Sequence, residues 1–530
     1  MSRERQEPAP LPRKQDLLFV LSLAAALWAV NLIWLALDTR PPVWDMALHQ
    51  AYALHYLPDA PASAEHYWEK SGNYPPLVHL AIALSFFIFG PNPDAAAVMN
   101  LPATLLLFWA VYALGLELAG RVAARWACLI TAVTPYLMWM SRETILDYWL
   151  SAWFVVFLVT LCRTRGFERY RISLMLGVVI ALGLCTKWFF AGLAALPMAY
   201  VSYRSAVWKD SRRLRHLIDA LLVAGLMAGI WYLPNMGRLR SYFAANMQIG
   251  AREGEPPVLS FQSFIYYLRL LEGYQFFALL FGVLVLASFF VWRRRLLAHG
   301  GYLAAAIFGV WLSMTLLRTK DPRFTMPLLG LLAIVCGAWI QSWARTRRNA
   351  AIKAALAAVL VLQAYAINFG IPWLPEKAII AEGYQGTVRW DWNVYLQSYF
   401  GILGAPEKQD WKQEEILRSL AAHAGEGDAQ PCLALIPDLP RFNAANFLLS
   451  ARLQGMDVRV DHLQSEPRGL EAFEGFRYVL MTEADQGMPW TTVHSRGLNQ
   501  LVVDHPQTFR LLGLFALPNG DQARLYFIDR

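Results

Sequence analysis

An acidic residue stands shortly after the first long apolar segment of the chain. Asp45 lies in the stretch TRPPVWDMALHQAYALHYL, with Trp44 before it and Tyr52 and Tyr56 after it. A carboxylate held near an apolar interface can act as a general base that takes a proton from a reacting hydroxyl. Asp is also favoured as the N-cap of a helix, so both a catalytic role and a capping role are open for Asp45.

A second group of ionisable residues lies in the stretch MSRETILDYWLSAW. Arg142, Glu143 and Asp147 stand where one apolar run ends and the next begins. Charged groups at membrane depth are costly and usually mark a site, which makes Asp147 a second candidate catalytic residue. Snorkelling by Arg142 and capping by Glu143 are the structural alternatives. Glu143 and Asp147 could hold a divalent metal, but no ligand spacing identifies one, and no cofactor is certain.

Three cations lie in short polar turns. Lys187 stands in GLCTKWFFAGL, and Lys320 and Arg323 stand in LLRTKDPRFTMPLL. A lone Lys between two apolar runs is either a turn residue or a cation for an anionic ligand. Arg and Lys stabilise phosphoryl oxygens, so the second turn indicates a phosphate-bearing ligand. A turn closed by a salt bridge to Asp321 is the alternative.

The elements that position these residues are membrane helices. Of the 530 residues, 57% are hydrophobic and only 16% are charged, whereas soluble globular proteins average about 25% charged residues. Apolar runs of about 18 or more residues, long enough to span a bilayer, recur along the first two thirds. In lipid such runs must be helical. The net charge of +8 follows from basic cytoplasmic loops, and no basic soluble face indicates nucleic-acid binding.

Basic clusters between the apolar runs set the topology, because Lys and Arg concentrate in cytoplasmic loops. The N-terminal tail 1–16 is predicted to be cytoplasmic, and the membrane domain to cover 17–370. The apolar segment 75–90 is short for a crossing and is predicted to lie along the outer interface. The first outer loop is 38–76. About eleven spans are predicted, at 17–37, 96–118, 126–141, 145–162, 172–186, 188–203, 216–233, 265–291, 301–317, 325–342 and 352–370.

The chain changes character after residue 370. Charge rises, long apolar runs stop, and short apolar runs alternate with helical stretches, which predicts an extracytoplasmic α/β domain over 371–530. The five cysteines show no CxxC pair or metal-ligand spacing, so we predict no disulfide framework. The predicted fold class is an all-α polytopic bundle with a C-terminal soluble α/β domain.

This topology brings the candidate residues to turns on the outer side of the membrane. A base beside a cluster of cations suits transfer from a lipid phosphate, because the base takes the acceptor proton and the cations stabilise the departing phosphate. The acids are Asp45 and Asp147, and the cations are Arg142, Lys187, Lys320 and Arg323. A transporter or flippase is the alternative, but it would favour mid-membrane charges and internal repeats. A lipid-linked polymer ligase with a diphosphate donor is a third reading.

Five motifs together resemble the GT-C superfamily of polyprenyl-phosphate-dependent glycosyltransferases, in the branch of protein O-mannosyltransferases and lipid A aminoarabinose transferases. The resemblance rests on the order and spacing of the motifs and covers roughly residues 17–345. The motifs are PPVWDMALH, NYPPLVHLAIALSFFIFGPNPDAAAVMNLPATL, SRETILDYWL, LGLCTKWFFAGLAALP and KDPRFTMPLLGLLAI.

The resemblance implies an inverting transfer of a sugar from a polyprenyl-phosphate donor to a protein, lipid A or another envelope glycan. It implies Asp45 as the acid-base residue, Asp147 as its support, and the position of Tyr74, before Pro75–Pro76, as a holder of the lipid phosphate. Family members usually carry a second acid where this chain has Met46. The resemblance also implies the inner membrane of a bacterium, with the C-terminal domain in the periplasm and membrane lipids as partners.

Overall fold

The computed structural model describes residues 12–58, 69–370, 405–424 and 430–529. Most of the predicted cytoplasmic tail, part of the first outer loop and the start of the C-terminal domain lie outside the described residues. Within them, the predicted fold class is confirmed: a helical membrane domain precedes a small domain built on a β-sheet.

Long apolar helices make up the membrane domain. Six of the described helices are long and apolar enough to cross a bilayer, and three shorter apolar helices accompany them, so the chain is a multi-pass membrane protein. The count of eleven spans stays a prediction. The helices are α1 (Lys14–Leu37), α2 (Trp44–Leu54), α3 (Leu77–Phe89), α4 (Pro93–Val98), α5 (Asn100–Ala119), α6 (Arg121–Ala132), α7 (Pro135–Met140), α8 (Leu146–Arg163), α9 (Tyr170–Thr186), α10 (Phe190–Arg204), α11 (Ser211–Arg252), α12 (Phe261–Leu270), α13 (Phe277–Arg294), α14 (Gly300–Thr315), α15 (Met326–Gln341) and α16 (Arg347–Phe369).

The helix α11 continues far beyond its predicted end at residue 233. Pro234 lies inside it, and the helix runs on to Arg252, where the sequence had predicted a loop over 234–264. The hydropathy pattern ends there because Arg238 and Arg240 follow, yet Arg and Ala are strong helix formers regardless of polarity. The extension brings Tyr242 of α11 next to Tyr74, which precedes α3.

A second difference is the break in the predicted span 265–291. A π-helical turn, Leu271–Gln275, separates α12 from α13. The side chain of Gln275 donates from Nε2 to the carbonyl oxygen of Pro322 at 2.6 Å and to Oγ1 of Thr325 at 3.1 Å. The break therefore anchors the turn that carries Arg323, in keeping with the frequent use of π-bulges at functional sites.

The short helix α3 is only partly covered. Its 13 residues span about 20 Å, less than the hydrocarbon core of about 30 Å. Val78 and Ile82 are buried, whereas Phe87 is 71% exposed. This one-sided burial fits a helix that lies along an apolar surface, and its place at the outer interface stays a prediction.

The centre of the bundle is formed by α5, α6, α8 and α15, which pack closely on one another. The contact between α6 and α15 depends on Gly337, because a Cβ atom there would collide with the carbonyl oxygen of Ala123. Close helix contact of this kind requires a residue without a side chain at the crossing. This closely packed centre supports the turns at the N-terminal ends of α8 and α15, which carry candidate residues.

The C-terminal domain is a mixed five-stranded sheet with helices, which agrees with the predicted α/β class. Its elements are α17 (Gln413–Ala424), β1 (Cys432–Leu435), α18 (Ala444–Leu453), β2 (Arg459–His462), β3 (Tyr478–Thr482), α19 (Ser495–Asp504), β4 (Phe509–Ala516) and β5 (Gln522–Ile528). The strand order is β2-β1-β3-β5-β4; β1 pairs in parallel with β2 and β3, and β5 pairs antiparallel with β3 and β4.

The soluble domain docks on the first outer loop. The side-chain amide of Asn446 donates to the carbonyl oxygen of Pro42 at 2.6 Å, and Arg452 donates from Nη1 to that of Ala51 at 2.7 Å. Leu449 packs into a buried cluster with side chains of α2 and α3. The loop segment that contains Asp45 is therefore held between the helix bundle and the soluble domain.

Candidate active site

Asp45 lies in the first turn of α2, with its side chain 40% exposed. One carboxylate oxygen, Oδ2, accepts a hydrogen bond from Nη1 of Arg323 at 3.0 Å. The N-cap of α2 is Val43, so the capping role considered for Asp45 is wrong. An acid in the first turn of a helix is still stabilised by the helix dipole, and this acid keeps its other oxygen free of the Arg323 contact.

Arg323 is fixed by its own turn. Its Nε and Nη2 donate to Oδ2 of Asp321 at 2.8 and 2.5 Å, and its main-chain N–H donates to Oδ1 at 2.8 Å. The predicted salt bridge to Asp321 is therefore present together with the contact to Asp45. Its two carboxylate partners hold the Arg323 guanidinium at the cavity wall with little freedom of orientation.

Lys187 and Asp147 form a buried ion pair. Nζ of Lys187 lies 2.9 Å from Oδ1 and 2.8 Å from Oδ2 of Asp147, and both side chains are almost fully buried. The Lys187 ammonium also lies over the ring of Phe324, 4.9 Å from its centroid. Asp147 thus supports the cation at the cavity wall, and it is Lys187 that lines the cavity.

Arg142 and Glu143 do not line the cavity that holds Lys187 and Arg323. The guanidinium of Arg142 lies over the ring of Trp34, 4.1 Å from its centroid, and has no hydrogen-bond partner among the described residues. Glu143 accepts from Nε1 of Trp139 at 2.8 Å. Burial lowers the pKa of Arg142 to about 10 and raises that of Glu143. The turn between α7 and α8 separates Arg142 from Asp147, so the structure does not bring Arg142 to the predicted phosphate site.

The ammonium of Lys320 is bound by main-chain carbonyl oxygens. Its Nζ donates to the carbonyl oxygens of Met314, Thr315 and Leu317 at 3.2, 2.7 and 2.6 Å. These oxygens lie at the end of α14 and in the two residues after it, where helix carbonyls lack partners within the helix. Lys320 lines the cavity, but its charge closes a helix terminus, which departs from the predicted phosphate contact.

Besides Lys320, four of the candidate residues line one large cavity of about 1090 Å³, which is formed by described residues of the helix bundle and of the C-terminal domain. Asp45, Tyr74, Lys187 and Arg323 all contribute to its wall. The hydroxyl of Tyr74 lies 3.1 Å from that of Tyr242, and its ring lies 5.5 Å from the ring of Trp188. The cavity therefore places Asp45 and the cations Lys187 and Arg323 beside an aromatic wall, among further charged residues such as Arg269 and Arg318.

Several lining residues were not predicted. Tyr242 comes from the extended part of α11, where a loop had been expected, and Glu253 is the C-cap of that helix. Tyr136 and Trp139 come from α7. A helical reading of GRLRSYFAANMQIGAR, with its aromatic residues on one side, is the signal that could have placed Tyr242 at the site.

The soluble domain also supplies part of the wall, through Asp438, Met488, Trp490 and Thr491. No role in the site had been predicted for this domain, because no motif in its sequence carries the resemblance.

Two carboxyl groups beside the cavity are protonated more readily than usual. Burial raises the pKa of Glu253 to about 7 and that of Glu255 to about 9, and neighbouring acids add to both shifts. Glu253 lines the cavity together with Asp321 and Asp45. Neutral carboxyl groups here limit the negative charge that faces an anionic ligand.

The question of a metal is not decided by this geometry. The part of the chain that the structure describes brings no three His, Cys, Asp or Glu side chains together as ligands. Asp147 is paired with Lys187, and Glu143 faces another region. A divalent cation therefore stays a prediction, without a site among these residues.

Part of the chain is similar to a known protein family. Residues 73–236 match the family model described as dolichyl-phosphate-mannose-protein mannosyltransferase. No curated protein sequence matches the chain.

Solved structures match over almost the whole chain. The crystal structure of ArnT from Cupriavidus metallidurans bound to undecaprenyl phosphate has 13% identity and a TM-score of 0.61, covering 97% of this chain and 98% of that one. Its apo state matches at 14% identity with the same TM-score, over 96% and 97% of the two chains.

A more distant match is the apo oligosaccharyltransferase of Archaeoglobus fulgidus. It has 10% identity and a TM-score of 0.53, over 90% of this chain and 72% of that one. These matches confirm the resemblance predicted from the motifs: the chain has the fold of the GT-C superfamily of glycosyltransferases.

Proposed function

We propose that this protein is a membrane glycosyltransferase that moves a sugar from a polyprenyl-phosphate donor to an acceptor hydroxyl, with inversion and with Asp45 as general base. The observation that carries the proposal is the position of Asp45. Its partly exposed carboxylate faces a large cavity beside Arg323, and Lys187 lines the same wall. A proton acceptor next to two cations is the arrangement that transfer from a phosphate ester requires.

The proposed reaction is a single displacement. Asp45 takes the proton of the acceptor hydroxyl. At the same time the acceptor oxygen attacks the anomeric carbon from the side opposite the phosphate. The new glycosidic bond forms as the bond between that carbon and the phosphate oxygen breaks. The electron pair leaves with the phosphate, which departs as polyprenyl phosphate. Because attack and departure occur on opposite faces, the configuration at the anomeric carbon inverts.

Arg323 and Lys187 are the proposed ligands of the departing phosphate. Both are held in place before any ligand arrives, Arg323 by Asp321 and Lys187 by Asp147. Preorganised charges of this kind stabilise developing negative charge without reorganisation. Tyr74 and Trp188 add an aromatic wall nearby, which suits the apolar beginning of a polyprenyl chain or the face of a sugar ring. The similar structure from Cupriavidus metallidurans holds undecaprenyl phosphate, which supports this donor class.

The proposed setting is the inner membrane of a bacterium, with the N-terminus in the cytoplasm and the C-terminal domain in the periplasm. The basic clusters support this orientation, because Arg204 to Arg215 and Arg293 to Arg295 lie at helix ends and in the short connections between helices, and such positive charge concentrates on the cytoplasmic side. The acceptor would then be a hydroxyl of the envelope, on a protein, lipid A or another glycan.

The proposal is tested with purified protein in lipid vesicles, with an extract of envelope lipids and glycans as acceptor, and with three classes of sugar donor: polyprenyl monophosphate, polyprenyl diphosphate and nucleotide diphosphate. We expect consumption of the first class alone, with release of polyprenyl phosphate and an inverted product by NMR. Use of a diphosphate donor, a retained configuration, or movement of the intact lipid-linked sugar across the vesicle without bond cleavage would each contradict the proposal. The last outcome would favour the flippase alternative.

A further inference from the structure

Trp44, the residue before Asp45, is held by the soluble domain. Its indole Nε1 donates to Oδ1 of Asp438 at 2.9 Å, and its main-chain N–H donates to the carbonyl oxygen of Pro440 at 3.2 Å. Both the side chain and the backbone of Trp44 are therefore bound to one short segment of the C-terminal domain, which follows β1.

The backbone of Trp44 adopts a conformation that needs such support. Its φ angle is +21°, in a region that residues with bulky side chains rarely occupy. Conformations of this kind persist only where surrounding contacts enforce them, and they cluster at functional sites. Two hydrogen bonds, to Asp438 and to Pro440, reach Trp44 from the soluble domain, and the next residue in the chain is the proposed base.

Asp438 is itself fixed in place. Its second oxygen, Oδ2, accepts from Oγ1 of Thr491 at 2.6 Å, and its main-chain N–H donates to the carbonyl oxygen of Gln486 at 2.8 Å. Gly487 approaches so closely that a Cβ atom there would collide with the carbonyl oxygen of Asp438. The segment 486–491 of the soluble domain thus holds Asp438 in place where it meets Trp44.

We propose that Asp438 is a positioning residue for Asp45 and acts through Trp44, so that the soluble domain completes the active site. A continuous series of contacts runs from Thr491 through Asp438 and Trp44 to Asp45, which reaches Arg323 at 3.0 Å. Loss of the Asp438 contact lets the start of α2 relax and turns the base away from the acceptor. This inference rests on the proposed function.

The test compares Asp438→Leu, Asp438→Asn and Trp44→Phe in the full-length protein in vesicles. Asp438→Leu is expected to lower kcat by about 10- to 100-fold, because misplacement of a reacting group by about 1 Å can cost 10²-fold. The KM for the donor is expected to stay unchanged, because Arg323 and Lys187 keep their own partners. Asp438→Asn keeps an accepting oxygen for the indole and is expected to retain most of the activity.

Trp44→Phe removes the same hydrogen bond from the other side. Combined with Asp438→Leu it is expected to be no worse than Asp438→Leu alone, because contacting residues in one interaction are not additive. The matched control is Asp461→Leu, which removes a carboxylate of the same domain that pairs with Arg459 at the surface. That variant is expected to transfer at the wild-type rate.

Hydrogen exchange at residues 43–48 gives a readout that does not depend on activity. Asp438→Leu is expected to raise exchange there and nowhere else in the membrane domain. If the wild-type protein transfers no sugar but this exchange rises, the proposed function fails and the contact stands. The positioning role is overturned if Asp438→Leu folds with wild-type kcat or raises only the donor KM. It is also overturned if the loss of kcat in the double variant with Trp44→Phe equals the product of the two single losses.

Discussion

The carboxylate of Asp45 and the guanidinium of Arg323 meet at 3.0 Å, although 278 residues separate them in the chain. One cation therefore touches the proposed base and also faces the place where a donor phosphate would lie. The remaining nitrogens of Arg323 are held by Asp321, which leaves the guanidinium little freedom to follow a ligand. This fixed cation links proton transfer to phosphate departure.

Replacement of Arg323 tests this link. Arg323→Met is expected to lower kcat/KM for the donor by about 10²- to 10³-fold, the cost of removing one preorganised donor from a site of developing charge. Initial transfer rates at varied donor concentration measure it. Arg238→Met is the control, since Arg238 pairs with Glu69 and is absent from the cavity wall. Equal losses in both variants would show that general charge, and not the position of Arg323, matters.

Variants of the buried pair of Lys187 and Asp147 are expected to lose transfer activity whether or not they keep their stability. Lys187→Met leaves the Asp147 carboxylate buried without its cation, which costs about 3–5 kcal/mol. The double variant Lys187→Met/Asp147→Leu is expected to recover most of that stability, because an apolar pair replaces the ionic one, while transfer stays lost. Thermal unfolding in detergent and transfer assays provide the two readouts.

An exposed pair serves as the control for that experiment. Arg418 and Glu414 lie on the surface of α17, and Arg418→Met is expected to change stability by less than about 1 kcal/mol. Recovery of transfer in the Lys187/Asp147 double variant would contradict the role of Lys187 as a phosphate ligand.

Glu253 predicts a dependence of donor binding on pH. Its pKa is raised to about 7 by burial and by Asp321 and Asp45, so the group is neutral below pH 7 and ionised above it. Ionisation adds a negative charge to the cavity that is proposed to hold a phosphate. The KM for the donor is therefore expected to rise about fivefold between pH 6 and 8, which corresponds to about 1 kcal/mol of repulsion in a wet site.

The variant Glu253→Gln, which cannot ionise, isolates this effect. Its donor KM is expected to stay flat from pH 6 to 8, whereas kcat keeps the profile of the wild-type protein. A rise of KM with pH in Glu253→Gln equal to that of the wild type would assign the effect to another group.

The orientation of the protein in its membrane is tested with introduced cysteines. Val493 in the soluble domain is 68% exposed, and Trp208, between α10 and α11, is 55% exposed. A membrane-impermeant maleimide is expected to label Val493→Cys in intact spheroplasts, and Trp208→Cys only after permeabilisation. The native cysteines are buried or partly buried, which keeps background labelling low. The reverse pattern would invert the proposed topology.

The sequence predicted those parts of the fold that depend on hydropathy and on loop charge. Long apolar runs became helices because lipid leaves the backbone no other partner, and the alternation of basic clusters placed Asp45, Lys187 and Arg323 at the same rim. The position of residues in short turns can be predicted in this way, since a short turn keeps its side chains close to the end of a span.

Directions of side chains and contacts between domains could not be predicted. Arg142 lies only five residues from Asp147, yet the turn between α7 and α8 directs it to Trp34. The ammonium of Lys320 binds helix carbonyls, which no local pattern indicates. The hydrogen bond between Trp44 and Asp438 joins positions 394 residues apart, and it depends on how the soluble domain docks.

The most direct test of the account is the rate of sugar transfer by Asp45→Asn from a polyprenyl monophosphate donor. The Asn side chain keeps the shape of Asp but cannot accept the proton, so transfer is expected to fall by at least about 10²-fold, with donor binding and thermal unfolding unchanged. Asp461→Asn, at the surface of the soluble domain, is expected to transfer normally. A folded Asp45→Asn protein that transfers sugar at the wild-type rate would contradict the central claim that Asp45 is the base.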